Sequence, residues 1–280
     1  MSDDQGAIYY TERMVPEEAH ARIFWEHVER YRFAKDFVRG QRVLDIACGE
    51  GYGAAALARA GARSVVGIDV SPDVCDHARR RYGLDARAGD AQAIPLPDRS
   101  IDRVVSFETI EHVDDPAVFV RECARVLVPE GMLIVSSPNR PVYNSEGRQN
   151  PFHRLEFDER EFLEVLRTEV RVVRLYSQFP RSAAWWSPRS LSAERSPWRC
   201  IKGFWRLSYW LCPAIRTHLR SETRARADEI ILARDRFPSS LFNPYIVRPR
   251  AQSSREQPYI LVAVAEGVKN RGTTHSGALS

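Results

Sequence analysis

The sequence predicts an α/β fold, a doubly wound seven-stranded sheet with helices on both faces. Short apolar runs recur at Arg42-Val-Leu-Asp-Ile46, at residues 63–69, around 85–88, at 101–107 and at 132–136, each too brief for a helix but long enough for a buried strand. Segments with helical periodicity separate them, notably residues 54–60, 72–82 and 116–127, and the connections are short. The first run also passes directly into Gly49, Gly51 and Gly53, a strand–loop–helix passage in which a backbone without Cβ can turn sharply under a flat ligand. Strands alternating with helices in this way call for a parallel sheet covered on both sides. A ligand then lies at the carboxyl ends, where the strand order reverses between strands one and four.

The remaining elements follow in chain order. Residues 17–38 carry Ile23, Phe24, Val28, Tyr31, Phe33 and Phe37 at three- and four-residue steps, a helix expected to pack across the sheet and supply a lid spanning residues 1–40. The core is expected over 41–177, with a sixth strand at 170–176 after an amphipathic helix at 157–168. The seventh strand comes much later, within 258–267, so residues 178–257 form a large insertion between strands 6 and 7, and 268–280 is expected to be a disordered tail.

Composition narrows the class. The chain has 280 residues, 44% hydrophobic and 28% charged, room for one large core with a cap. No run reaches the roughly 18 apolar residues needed to span a bilayer, and Met1-Ser-Asp-Asp lacks the basic start of a secretion signal, so a cytoplasmic protein is expected. Cys48, Cys75, Cys123, Cys200 and Cys212 are scattered with no CxxC pair, which argues against a disulfide framework or a cysteine zinc site. The net charge of +4 conceals an asymmetry: residues 181–257 hold 14 Arg and 1 Lys against 6 acids, a surplus of nine, leaving about −5 on the rest. The same segment holds five of the six tryptophans, a mixture suited to an anionic membrane surface or a phosphorylated, lipid-linked glycan. Single-stranded RNA would suit the same mixture, but no RNA-binding module appears and no nucleic-acid partner is expected. An Arg-rich cap whose tryptophans form a small core over the active site is the other reading.

Asp45 decides which nucleotide-like cofactor fits the glycine loop. It precedes the glycines, near the carboxyl end of the strand, where it would oppose the pyrophosphate of a dinucleotide. S-adenosylmethionine (SAM) carries a sulfonium and an amino group instead, and an acid there favours it. The run Asp45, Ala47, Gly49, Gly51 resembles the first motif of the class I SAM-dependent methyltransferases. That resemblance implies a Rossmann-like sheet with its last strand antiparallel. Asp69 lies 24 positions after Asp45, one β-α-β step, where it would take the ribose hydroxyls; capping the helix opened by Ser71-Pro72 is its alternative role. Asp90, after the third strand, matches the family's adenine-contacting acid or is a turn residue, and Ala91 would offer backbone beside the ring. Val70 and Phe107 are read with them as cofactor-binding. Arg13 and Arg32 are candidates for the cofactor carboxylate, or solvated surface residues.

Methyl transfer to a hydroxyl requires positioning and help in losing a proton. Glu108, Glu111 and His112 after the fourth strand, with His153 in Asn150-Pro-Phe-His153, are two carboxylates and two imidazoles expected at one edge. Together they suit a divalent metal such as Mg²⁺; His153, with His112, as a metal-free catalytic base is the alternative, and packing or a surface histidine the third reading. The spacing resembles metal-dependent O-methyltransferases acting on small-RNA ends and, in part, those of the ubiquinone pathway. The stretches Tyr10-Thr-Glu-Arg-Met-Val-Pro16 and Asn150-Pro-Phe-His153 resemble bacterial enzymes that methylate glycans or glycosylated metabolites, including those of surface-polysaccharide assembly. The expected function is therefore O-methylation of a hydroxylated small molecule or glycan, with a phenol or quinone precursor, or a non-catalytic SAM-binding partner role, as alternatives.

Overall fold

The computed structural model describes residues 14, 21–145, 150–180, 245–250, 258 and 260–269. Eight strands form one sheet: β1 (Arg42–Ile46), β2 (Ser64–Asp69), β3 (Asp85–Ala88), β4 (Ile101–Phe107), β5 (Leu127–Pro138), β6 (Val170–Pro180), β7 (Tyr245–Pro249) and β8 (Ile260–Val268), in the order β3-β2-β1-β4-β5-β8-β6-β7. The helices are α1 (Ala21–Ala34), α2 (Tyr52–Arg59), α3 (Pro72–Tyr82), α4 (Pro116–Val126), α5 (Arg140–Ser145) and α6 (Glu159–Leu166). β3, β2, β1, β4 and β5 run parallel, and β8 lies antiparallel between β5 and β6, as expected of the last core strand.

Strand alternation sorts the core into two layers. Leu44, Ile46, Val104, Leu133, Val135, Leu261 and Ala263 meet Phe119, Val120 and Cys123 of α4 and Phe162 and Leu166 of α6. On the opposite face Val43, Val105, Phe107, Ile134 and Val264 meet Phe24, Tyr31 and Ala34 of α1 and Tyr52, Ala56 and Leu57 of α2. Asp45 falls in register with this second, apolar face. Helix starts are fixed by local chemistry: Asp115 accepts the Ala117 and Val118 N–H groups ahead of α4, and Asp158 with Glu161 forms a capping box at α6.

The insertion is not wholly separate from the sheet. β6 continues to Pro180, and β7, from the insertion's distal end, pairs with it in antiparallel register, Gln178 opposite Val247. This eighth strand sits at the edge, the place in a sheet where Pro249 is tolerated. The rest of the insertion, the first part of the N-terminal segment and the tail beyond Lys269 lie outside the described residues. Among the described residues no helix is long and apolar enough to cross a membrane, and Cys48, Cys75 and Cys123 are buried free thiols.

α1 packs closely against the start of α2. A Cβ on Gly53 would stand 1.9 Å from the Tyr31 ring, so the aromatic packs against bare backbone. Gly53→Ala should therefore displace Tyr31 and lower unfolding stability by about 1–3 kcal/mol, read by denaturant unfolding; an unchanged midpoint would refute this packing.

Candidate functional site

The site assembles where the sheet order places the tips of β3, β2, β1 and β4 side by side. After β1 the chain turns through Ala47 (φ 58°), Gly49 (φ 53°) and Gly51 (φ 86°), all left-handed. Gly51 caps α2, and a Cβ there would lie 2.6 Å from the Ala78 Cβ, so α3 also closes on this loop. The Cys48 N–H donates to the Ile68 carbonyl at 3.0 Å, and the Gly49 N–H to Asp69 Oδ2 at 3.0 Å. The Ser71 N–H takes the other Asp69 oxygen at 3.0 Å, so this carboxylate organises the loops after β1 and β2 whether or not it also meets a ribose. α3 itself starts at Ser71, without a side-chain cap.

Asp45 is fully buried, and the Tyr31 hydroxyl donates to its two oxygens at 3.1 Å each. Burial, opposed by the Tyr31 hydrogen bond and reinforced by the nearby Asp69 charge, pushes its carboxyl up to about 8. Tyr31 packs edge-on against Tyr52 and Phe107, at ring distances of 5.5 and 5.0 Å, so Phe107 is a core ring beneath the loop. Val70 is 76% exposed at the tip of β2, an apolar side chain offered at the sheet edge, while Ala91 packs against the core. Asp90 Oδ1 accepts the Gln92 N–H at 2.7 Å, so its turn role is realised.

A second cluster forms after β4. Glu108 adopts φ 53° and turns its carboxylate back to the sheet, where the Ser136 Oγ donates to Oε1 at 2.9 Å. The expected four-residue metal group is thereby reduced to Glu111, His112 and His153, whose ligand atoms all lie within 4.8 Å of one another. The Glu111 carbonyl accepts the Arg154 and Leu155 N–H groups at 2.9 and 3.2 Å, and His112 Nδ1 meets the Phe152 carbonyl at 2.9 Å, so the Asn-Pro-Phe-His loop is zipped onto this turn. A carbonyl only accepts, which places a proton on His112 Nδ1. His153 Nδ1 likewise faces Glu156 Oε1 at 3.1 Å. Glu111 is fully buried with neither carboxylate oxygen partnered, and burial, with the Glu108 charge, raises its carboxyl well above the usual range. Two imidazoles oriented by acceptors beside an orphaned carboxylate fit a divalent ion.

The methyltransferase domain family matches residues 44–135. A Mycolicibacterium smegmatis protein named a probable S-adenosylmethionine-dependent methyltransferase is 43% identical over 162 residues, 56% of this chain and 62% of its own length. Residues 44–135 are thus similar to the domain of SAM-dependent methyltransferases. A ubiquinone biosynthesis O-methyltransferase of Neisseria meningitidis is 39% identical over 110 residues, 37% of this chain and 46% of that protein. The chain thus spans about half to two thirds of the length of these relatives. A SAM-dependent methyltransferase of Thermotoga maritima shares the fold at a TM-score of 0.56 and 17% identity, over 88% of this chain and 92% of that one.

Of the arginines considered for a cofactor carboxylate, Arg13 lies outside the described residues, and Arg32 is held by Glu29 at 2.6–2.7 Å and half exposed. Arg30, which its place in the helical pattern marks only as polar, is instead the buried one. The pH behaviour of Asp45 gives two expectations. A cationic ligand selects the ionised carboxylate, so SAM binding at pH 7 should release about 0.9 proton, with affinity rising roughly tenfold from pH 6 to 7. Calorimetry in buffers of different ionisation enthalpy reads this, and buffer-independent heats would refute it. Because the carboxyl is raised in the folded state, its contribution is intact below its ordinary value near 3.8 and is eroded as pH climbs toward 8. Asp45→Asn should accordingly raise the ligand-free melting midpoint at pH 7 while weakening SAM binding at least tenfold; a lowered midpoint would contradict this cost.

Proposed function

We propose that the protein is a SAM-dependent methyltransferase that O-methylates a hydroxyl of a sugar, glycan or glycosylated metabolite. The carrying observation is the Glu111, His112, His153 group, seated beyond the tip of β4, beside the loop that follows β1. SAM supplies an activated methyl group, so the protein's share of the work is to align the acceptor oxygen, exclude water and take up its proton. His153, 7% exposed and backed by Glu156, has the geometry of that base through Nε2. The same three residues would hold a divalent ion such as Mg²⁺, which when bound lowers the pKa of a coordinated hydroxyl. Glu111 and Asn139, beyond the tips of β4 and β5, keep buried side-chain oxygens without partners, a lining suited to a hydroxylated acceptor. A phenol or quinone precursor is the second reading, favoured by the ubiquinone-pathway relative. The basic, aromatic composition of residues 181–244 supports contact with an anionic membrane or lipid-linked acceptor.

The test is transfer from labelled SAM to fractionated hydroxylated extracts, with mass spectrometry of the product. Label in a carbohydrate fraction supports the reading, and label confined to phenolic or quinone fractions transfers it to the second. His153→Ala should reduce turnover roughly 10²–10⁴-fold. If EDTA also abolishes activity and a divalent ion restores it, the metal arrangement stands; a His153→Ala enzyme within a few-fold of the parent, insensitive to EDTA, would sink both.

A further inference from the structure

The loop that carries His153 holds apolar side chains in the open. Among the described residues four large apolar side chains are exposed, and two of them, Phe152 at 41% and Leu155 at 45%, belong to this one loop. Scattered apolar residues are ordinary on a protein surface. These two are not scattered: they stand immediately before and two residues after His153, whose own side chain is 7% exposed. Nor is the loop free to fold them inward. The Phe152 N–H donates to Asn150 Oδ1 at 3.0 Å, and its carbonyl accepts from His112 Nδ1 at 2.9 Å. The His153 N–H donates to the Asn150 carbonyl at 3.1 Å, and the Arg154 and Leu155 N–H groups donate to the Glu111 carbonyl. A backbone fixed at every residue from 152 to 155 holds both side chains exposed at the rim of the Glu111, His112, His153 group.

Apolar surface held open in this way gains free energy only when something apolar covers it. The occupant this place selects is the acceptor itself. A molecule whose hydroxyl reaches His153 and the unpartnered carboxylate of Glu111 has Phe152 and Leu155 as its next neighbours, because they border His153 on the same pinned loop. Unmet polar demand inside the group and apolar side chains at its rim match an amphiphile, not a sugar that is hydrophilic throughout. We propose that the methyl acceptor is a glycan joined to an aliphatic chain, its hydroxyl entering the Glu111, His112, His153 group while its apolar portion lies on Phe152 and Leu155. The observation is independent of the basic composition of residues 181–244.

This narrows the proposed function and rests on it, and the experiment separates the two. The full chain is incubated with labelled SAM and a whole-cell extract, which is then partitioned between chloroform–methanol and water. Label should enter the organic phase and pass into water once acid hydrolysis frees the glycan from its chain. Label confined to water-soluble carbohydrate would overturn the proposal and leave glycan methylation standing. Organic label that hydrolysis does not release would also overturn it, moving the acceptor to the phenol or quinone reading. No label in any fraction would remove the methyltransferase reading and the proposal together. A second arm tests the residues. Phe152→Ser combined with Leu155→Ser keeps the backbone hydrogen bonds that pin the loop, and it should cut the initial rate of organic-phase labelling by roughly tenfold. Its melting midpoint and its SAM affinity by calorimetry should match those of the unmodified protein. Labelling at the unmodified rate would overturn the contact, as would an equal loss of SAM affinity, since the loop would then support the donor site instead.

Discussion

A carboxyl placed on the apolar face of a central strand is the constraint from which the rest of this corner follows. Asp45 continues the face that Val43 opens, where an aliphatic residue would be more stable, and it is tolerated because Tyr31 donates to both oxygens. That hydroxyl reaches it only if α1 crosses the sheet at one place, and the ring lies flat there only because Gly53 has no side chain. The glycine run therefore has two duties: the left-handed Gly49 and Gly51 shape the loop, while Gly53 admits the aromatic that stabilises the acid beneath it.

The second constraint is connectivity. With β1 and β4 adjacent and parallel, their following loops open on the same edge, so Asp45 and the turn containing Glu111 come together from residues far apart in the chain. The loop at 150–156 is brought to that turn by backbone hydrogen bonds to Glu111 and by the His112 ring, which makes Asn150, Pro151 and Phe152 scaffolding for the presentation of His153.

The strands were legible because a sheet buried on both faces writes itself as brief apolar runs, and the order of the parallel half follows from handedness and short connections. The acids at strand tips were legible as positions, whereas the loop hydrogen bonds that Asp69 and Asp90 accept were not. The direction of Glu108 was not legible, because its spacing from Glu111 and His112 says nothing of backbone direction, and a left-handed residue at the strand tip sends its carboxylate back to Ser136. Arg30 was invisible because it sits between apolar positions of an amphipathic helix, and its burial depends on Gln178, 148 residues away in the chain. β7 was missed because a five-residue edge strand ending in proline inside an Arg-rich segment carries almost no periodic signal.

Asp45, Arg30 and Glu111 are three ionisable groups taken out of water within one corner of the fold, and each weakens the ligand-free protein in proportion to how poorly it is paired. Asp45 is the best satisfied, its two oxygens sharing the Tyr31 hydroxyl proton and the Ala54 N–H also donating to it; Arg30 donates to Gln178 but keeps Nε unpartnered; Glu111 has no partner at its carboxylate oxygens. Asp45 lies in β1 and Glu111 follows the neighbouring strand β4, while Arg30 reaches β6 through Gln178. Groups whose partners belong to the fold keep them at all times, whereas groups whose partners arrive with ligands stand unpaired until then. Under the proposed function, the ranking of unmet polar demand marks where the protein's own interactions end and those of its ligands would begin.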